Sequence, residues 1–400
     1  MSNLGEAESP VALVTGDFVR TGGMDRANLA LANYLAHAGH NVHLVAHRVA
    51  PELTAFPNVC AHFAAKPCNS YFFGQSFLAA RGRTVGRQVA ASGGRVIVNG
   101  GNCCFPDVNW VHYVHAAYQP KSALSLARQI KLHLEHPLNV RREREALRAA
   151  QFVICNSRRT QQDVVNKVGV APEKTHVVYY GNDPKEFYLD DPATRLSIRT
   201  RLGLPSDRPL VAFVGALGDR RKGFDVLYSA WRSLKRSPTS EPLLIVIGAG
   251  RELDAWRRRS SEEGLDEHVH YLGFRNDVAD ILRAADLLVA PTRYEAYGLG
   301  VQEAICCGMP AIVSATAGVA ERYPTELGDL LIADVENAVV LADRLRLVLS
   351  DIDSFRRRCV SFGEILRGRT WDDMSREIAR FMNLDQIRLS GGQGRQAVLA

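Results

Sequence analysis

The stretch PTRYEAYGLGVQEAICCGMPAIVS, residues 291–314, decides how this chain is read. It begins where an apolar run, LLVAP at residues 287–291, ends; the run reads as a buried strand that Pro291 closes. A hydrophobic helical pattern follows and stops at Gly308 and Pro310. Seven residues separate Glu295 from Glu303, with a Tyr-Gly-Leu-Gly turn among them. Glu295 therefore belongs to the loop leaving a strand's carboxyl end, and Glu303 to the first part of the next helix. In an open α/β sheet that loop is where ligands bind. Amides of the first helical turn, near residues 298–301, lack intrahelical partners and suit an anion or an oxygen-rich ligand. Carboxylates repel phosphate but accept hydrogen bonds from neutral hydroxyls, so the pair is matched to a sugar or a ribose. The stretch asks for a molecule carrying both phosphate and hydroxyl groups.

The rest of the composition permits this. Four hundred residues, 46% hydrophobic and 23% charged, are enough for two globular domains. The net charge of +6 fits anionic ligands or an anionic membrane surface and does not point to nucleic acid. Eight cysteines without C-x-x-C spacing read as reduced thiols, several packed as small hydrophobes. The opening MSNLGEAESP is polar and acidic rather than signal-like, and no apolar run reaches the roughly 18 residues of a membrane span. A cytoplasmic protein, soluble or peripheral to a membrane, is expected.

Taken in order, residues 11–15 form a short buried strand, a loop carries Gly22 and Gly23, a helical pattern runs over residues 25–38, and a second strand covers residues 42–46. This is a βαβ unit whose glycine pair lets backbone approach a ligand. It lacks G-x-G-x-x-G spacing, which disfavours a nicotinamide dinucleotide. Residues 50–95, with Pro, Asn and Gly among Tyr71, Phe72, Phe73 and Phe77, state no chemistry of their own. Residues 95–99 and WVHYVH at 110–115 read as strands. Alternation sends His112 towards the domain body and His115, at the carboxyl end, towards the crevice. Residues 124–150 are helical and basic, with Lys131, Arg141, Arg142, Arg144 and Arg148. Such a helix either lies on anionic lipid or presents a solvated face laced with Glu143 and Glu145.

Residues 189–208, Pro-rich and charged, read as an interdomain connection, which divides the chain into a first domain at 1–188 and a second at 209–370. FVGALGDRRKGFDVLYSAW, residues 213–231, is a strand, a basic loop and an amphipathic helix. Arg220, Arg221 and Lys222 thus gather at a strand's carboxyl end, where an anion is expected. LLIVIGAG at 243–250 and HYLGFR at 270–275 give two further strands and loops. Asp351-Ile-Asp353 has the form of a metal-binding D-x-D, but between helices an aspartate cap is the simpler account. Residues 371–388 read as a late amphipathic helix and residues 389–400, rich in Gly and Gln, as a disordered tail.

The motif at 291–314, with TGGMDRANLALANYLAHAGHNV at 21–42, YVHAAY at 113–118 and the basic loop, resembles the retaining family 4 glycosyltransferases, enzymes of the GT-B fold. The resemblance implies an α/β protein of two Rossmann-like domains, their mostly parallel sheets facing a central cleft, with residues 371–388 crossing back to the first. It implies a UDP- or GDP-sugar donor, no cofactor and no metal, and a glycan, lipid-linked or small-molecule acceptor. Glu295 would take the donor sugar's hydroxyls, Glu303 the ribose, and Tyr297, Gly298 and Leu299 the sugar or phosphate. Lys222, with Arg220 or Arg221, would neutralise the departing diphosphate. The family often has an arginine where this chain has Ala216, after Gly215, so one of the two arginines must replace it; the turn favours Arg220. His115 would touch the donor sugar, Gly22 and Gly23 the phosphates or acceptor, and Gly248, Gly273, Phe274 and Arg275 would wall the base. A sugar-nucleotide epimerase and a silent sugar-nucleotide sensor are the alternatives.

Overall fold

Val11–Val14 (β1) is apolar at every position and wholly buried, the mark of a parallel strand covered on both faces. In the computed structural model, which describes residues 9–120, 126–218, 220–234 and 242–384, this strand lies inside a seven-stranded sheet. Its partners are β2 (Val42–Ala46), β3 (Val59–Phe63), β4 (Arg95–Asn99), β5 (Val108–Val111), β6 (Phe152–Cys155) and β7 (Thr175–Val177), in the order β3-β2-β1-β4-β5-β6-β7. A second sheet holds β8 (Leu210–Val214), β9 (Leu243–Ile247), β10 (Val269–Gly273), β11 (Leu287–Ala290), β12 (Ala311–Ser314) and β13 (Leu331–Ile332), in the order β10-β9-β8-β11-β12-β13. Neighbouring strands in both sheets pair in parallel. Each strand order reverses once, between β1 and β4 and between β8 and β11, and such a reversal opens a crevice at the strands' carboxyl ends.

The helices that bear on the site are α1 (Gly23–His37), α2 (Tyr71–Ala91), α3 (Leu126–Ala149), α4 (Arg158–Asp163), α5 (Pro192–Arg201), α6 (Phe224–Leu234), α7 (Leu299–Cys306) and α8 (Trp371–Phe381). Helix α8 follows the second sheet in sequence yet buries Met374, Ile378 and Ala379 in the core formed by β1, β2 and α1. Its start is fixed by a reciprocal cap, in which Thr370 N–H donates to Asp373 at 2.9 Å and Asp373 N–H to the Thr370 hydroxyl at 3.2 Å.

Several expectations change. Residues 189–208 are not a free connection: they contain α5, whose Arg199 and Arg195 bind Asp286 beside β11 at 2.6 and 2.8 Å. Arg199 is buried, and Ile198 joins the second core, so α5 belongs to the second half. The strand expected at residues 110–115 stops at Val111, and His115 opens a 3-10 turn, His115–Ala117. Asp351 caps the helix Ile352–Arg367 by accepting from Ser354 N–H at 3.1 Å. The expected disordered tail at 389–400 lies outside the described residues. All eight cysteines are free. Among the described residues no helix is long and apolar enough to cross a membrane.

Candidate active site

The second half supplies the charged centre. The loop between β8 and α6 must pass close under the loop after β11, and Gly223 makes this possible: with φ of 70°, a Cβ there would lie 1.9 Å from the Pro291 carbonyl oxygen. The close pass brings Lys222 onto Glu295, its ammonium donating a short hydrogen bond to Oε2. Arg221 reaches the same oxygen at 3.5 Å and the Tyr294 carbonyl at 3.1 Å. Burial of Glu295 disfavours its charge, but Lys222 and Arg221 outweigh this and hold its carboxyl below the usual carboxylate value. The ionised form is what an acceptor of sugar hydroxyls needs. Glu295 and Lys222 also line a cavity of about 150 Å³ with Gly215, Gly298 and Gly300.

Arg220, the partner favoured for Lys222 from the sequence, has φ of 56° and lies 4.0 Å from Asp225, lining a small pocket with Lys222 and Ala216, while Arg221 is the arginine that meets Glu295. Asp225 and Glu336 also clamp Arg293 of the motif, each at 2.7 Å. That network pins the 291–295 segment, a role for Arg293 that sequence reasoning missed.

Glu303 lies on α7 with its side chain 6% exposed, and its partner comes from the other half: Arg26 of α1 donates to Oε1 at 2.6 Å. Burial raises the carboxyl's proton affinity, Arg26 lowers it and Glu186 raises it again, for a net upward shift. The pair crosses a cleft of about 840 Å³ that also includes Gly22, Gly23, Leu299, Phe274 and Arg275. Gly23 lies against Leu299, whose Cδ2 would be 3.3 Å from an added Cβ. Phe274 is exposed in this cleft and Arg275 is tied to Asp277 at 2.7 Å. Gly248 N–H donates to the Gly273 carbonyl at 2.8 Å, which joins the two loops assigned to the base. The sequence singled out neither Arg26 nor the cleft's bridging by it, although a cation one turn after a glycine pair was a signal to follow.

Two of the assigned residues stand outside the lining of this cleft. The Tyr297 side chain is buried away from the cleft; its hydroxyl meets Gln302 and Arg322, and its ring packs on Tyr180. It joins the halves rather than facing a donor. His115 is half-buried and lines a separate cavity of about 310 Å³ in the first half, with His47, Tyr71, Gln75, Glu135 and Asn139. Its backbone N–H donates to Glu143 at 2.7 Å, and burial lowers the imidazole's proton affinity to a pKa of about 4, so it is neutral. His112 is buried against the Tyr180 hydroxyl, within the domain body. The sequence missed Asp17, which lies beside this second cavity and binds Arg48 at 2.6 Å and the Tyr71 hydroxyl.

The motif loop also meets the first half directly. The Ala296 carbonyl accepts from Ser157 Oγ at 2.6 Å and Thr160 Oγ1 at 3.0 Å. Amides at the start of α4, Arg158 and Arg159, donate to Glu321 at 2.7 and 3.1 Å. Gln302 donates to the Gly181 carbonyl at 2.8 Å.

Two parallel sheets, each with the strand-order reversal of a Rossmann-like domain, are the architecture of the GT-B class. Residues 194–365 match the family Glycosyl transferases group 1, and residues 21–186 match Glycosyltransferase Family 4. The chain belongs to these group 1 and family 4 glycosyltransferases. Among its relatives, a D-inositol 3-phosphate glycosyltransferase of Xylanimonas cellulosilytica is 29% identical over 278 residues, 67% of this chain and 64% of that protein. A glycosyltransferase of Methanocaldococcus jannaschii is 26% identical over 56% of this chain and 58% of its own. The match thus spans less than two thirds of these relatives' length. Similar solved structures include WaaG, a glycosyltransferase involved in lipopolysaccharide biosynthesis (TM-score 0.74, 21% identity, 93% of this chain and 99% of that one). The sucrose-phosphate synthase of Thermosynechococcus elongatus has TM-score 0.75 and 22% identity, over 96% and 100%. Anabaena HepE, solved with UDP and glucose, has TM-score 0.67 and 18% identity, over 94% and 99%.

Proposed function

We propose that the protein transfers a sugar from a UDP- or GDP-sugar to an acceptor hydroxyl, with retention at the anomeric carbon and without a metal ion. The observation that carries this reading is the convergence of Lys222 and Arg221 on Glu295 at the carboxyl ends of β8 and β11, beside the first turn of α7. A donor diphosphate gives both cations a second anionic partner and frees Glu295 to accept from sugar hydroxyls. As the sugar–phosphate bond breaks, charge grows on the leaving oxygen, and cations already in place stabilise it without reorganisation. The leaving phosphate oxygen takes the acceptor hydroxyl's proton while the acceptor oxygen bonds the anomeric carbon from the same face. Glu303 accepts from the ribose hydroxyls, and Phe274 and Arg275 border the base.

UDP-glucose, present with the similar HepE, is the first donor to try, and D-inositol 3-phosphate, named in the relatives, the first acceptor. His47, Gln75, Glu135 and Asn139 around the first-half cavity offer hydrogen-bond partners for a polyhydroxylated molecule. Exposed Ile130, Leu134 and Leu138 on the basic helix α3 favour a lipid-linked acceptor as the second class. Proton NMR of the product tests the stereochemistry. An α-linked product from an α-linked donor is expected; a β-linked product contradicts retention.

A further inference from the structure

Strands β2 and β3 form the outer edge of the first sheet, away from the cleft that opens between β1 and β4. Their register sets His43 opposite Cys60 and Val45 opposite His62. Side chains alternate along a strand, so His43, Cys60 and His62 share one face. Their ligand atoms, one from each residue, all lie within 4.8 Å of one another. His43 Nδ1 and His62 Nε2 are 3.0 Å apart with the rings stacked at 5.3 Å. Tetrahedral zinc, with bonds of about 2.0–2.1 Å to nitrogen, needs its two nitrogens about 3.3 Å apart, so the rings require only a small adjustment. Cys60 is exposed and both histidines are partly so, which leaves a path for an ion and room for a water as fourth ligand.

We infer that His43, Cys60 and His62 form a binding site for a borderline transition-metal ion, with zinc the best match, separate from the sugar-nucleotide cleft. Two imidazoles and a thiolate select such an ion over magnesium or calcium, which take oxygen ligands. On binding, Cys60 loses its thiol proton to solvent, and each histidine keeps its proton on the nitrogen facing away from the metal. Arg81, close enough to His62 to be felt by it, brings a positive charge near the pair, and the thiolate offsets that charge. The bound ion ties the edge strand to its neighbour, which an edge otherwise holds on one side only.

The test uses full-length protein stripped with a chelator and titrated with cobalt(II), whose spectrum reports the ligands. One cobalt per chain is expected, with visible bands of tetrahedral intensity and a near-ultraviolet thiolate-to-metal band. Cys60→Ser should remove that thiolate band, and His62→Ala should weaken zinc binding at least about tenfold, since even loss of an outer hydrogen bond costs a site that much. Zinc should raise the unfolding midpoint of the wild type and not of Cys60→Ser. Matching midpoints of the metal-free proteins establish that the variants fold; Cys60→Ala replaces the serine variant if they differ. A cobalt spectrum with no thiolate band, a band that persists in Cys60→Ser through Cys68 or Cys104, or zinc affinity indifferent to His62→Ala overturns the proposal.

Discussion

Lys222 shares one oxygen of Glu295 with Arg221, so the site holds opposite charges that a donor must rearrange. If Lys222 acts on charge that develops as the diphosphate leaves, its removal harms the chemical step more than binding. Lys222→Ala should cost about 10² to 10³ in turnover, comparable with loss of one preorganised donor. Arg221→Ala should be damaging and Arg220→Ala mild; steady-state rates at saturating donor decide, and the reverse order would restore Arg220 to the site. Glu303→Ala should lower nucleoside diphosphate affinity by about 1.5 to 3 kcal/mol, the worth of hydrogen bonds to a charged group. Glu295→Ala should spare that affinity and reduce turnover, and equal affinity losses in calorimetry would show the two roles misassigned. Glu295, Glu303 and Lys222 were legible because a strand end, a turn and a helix start fix where such residues stand. Which arginine partners Lys222 was not legible, because a positive φ at a non-glycine residue sets where the Arg220 side chain goes, and nothing in the residue type announces that.

At the scale of elements, the loop after β11 is shaped by its closeness to the loop after β8 and by Gly298, whose φ of 112° opens α7. A Cβ at Gly298 would come within 2.9 Å of Val319, and one at Gly223 within 1.9 Å of the Pro291 oxygen. Gly223→Ala should therefore cost at least about 1–3 kcal/mol, the usual cost of a strained backbone, and more from the clash; an unchanged denaturation midpoint would contradict the geometry. The start of α1 carries a pH-sensitive element. Burial, and then the charge of Asp17, raise the Asp25 carboxyl from its ordinary 3.8 to about 7. The folded state then binds more protons at this group than the unfolded state between these values, so the stability Asp25 contributes is fully present below the lower one and is lost as pH rises through about 7. Asp25→Asn should flatten that fall, leaving the part due to Glu143, which burial also raises to about 7. A midpoint-versus-pH curve identical to the wild type would refute it. Strand and helix identities were readable from apolar runs and glycines. The end of β5 at Val111 was not, because a 3-10 turn held by Glu143 takes over where the pattern still alternates.

At the scale of the molecule, α8 makes the first core depend on residues that follow the second sheet. Met374 and Ile378 are wholly buried there. Ile378→Ala should cost about 2–5 kcal/mol, the range for such core truncations, read from denaturant unfolding. The pairs that join the halves, such as Arg26 with Glu303 and Ser157 with Ala296, link residues more than a hundred positions apart. No local pattern specifies such partners; only the closed arrangement of both sheets brings them together. The cleft and the cavity of Lys222 and Glu295 share Val214 and Gly300, a placement that suits the diphosphate donor proposed. The most direct measurement is acceptor-dependent release of nucleoside diphosphate from UDP-glucose and other UDP- and GDP-sugars, in the presence of a chelator, by the wild type and Lys222→Ala. Release by the wild type that needs an acceptor, persists without divalent metal and falls about 10² to 10³ in the variant is the predicted result. An absolute need for magnesium or manganese, or release that Lys222→Ala leaves unchanged, would contradict the account.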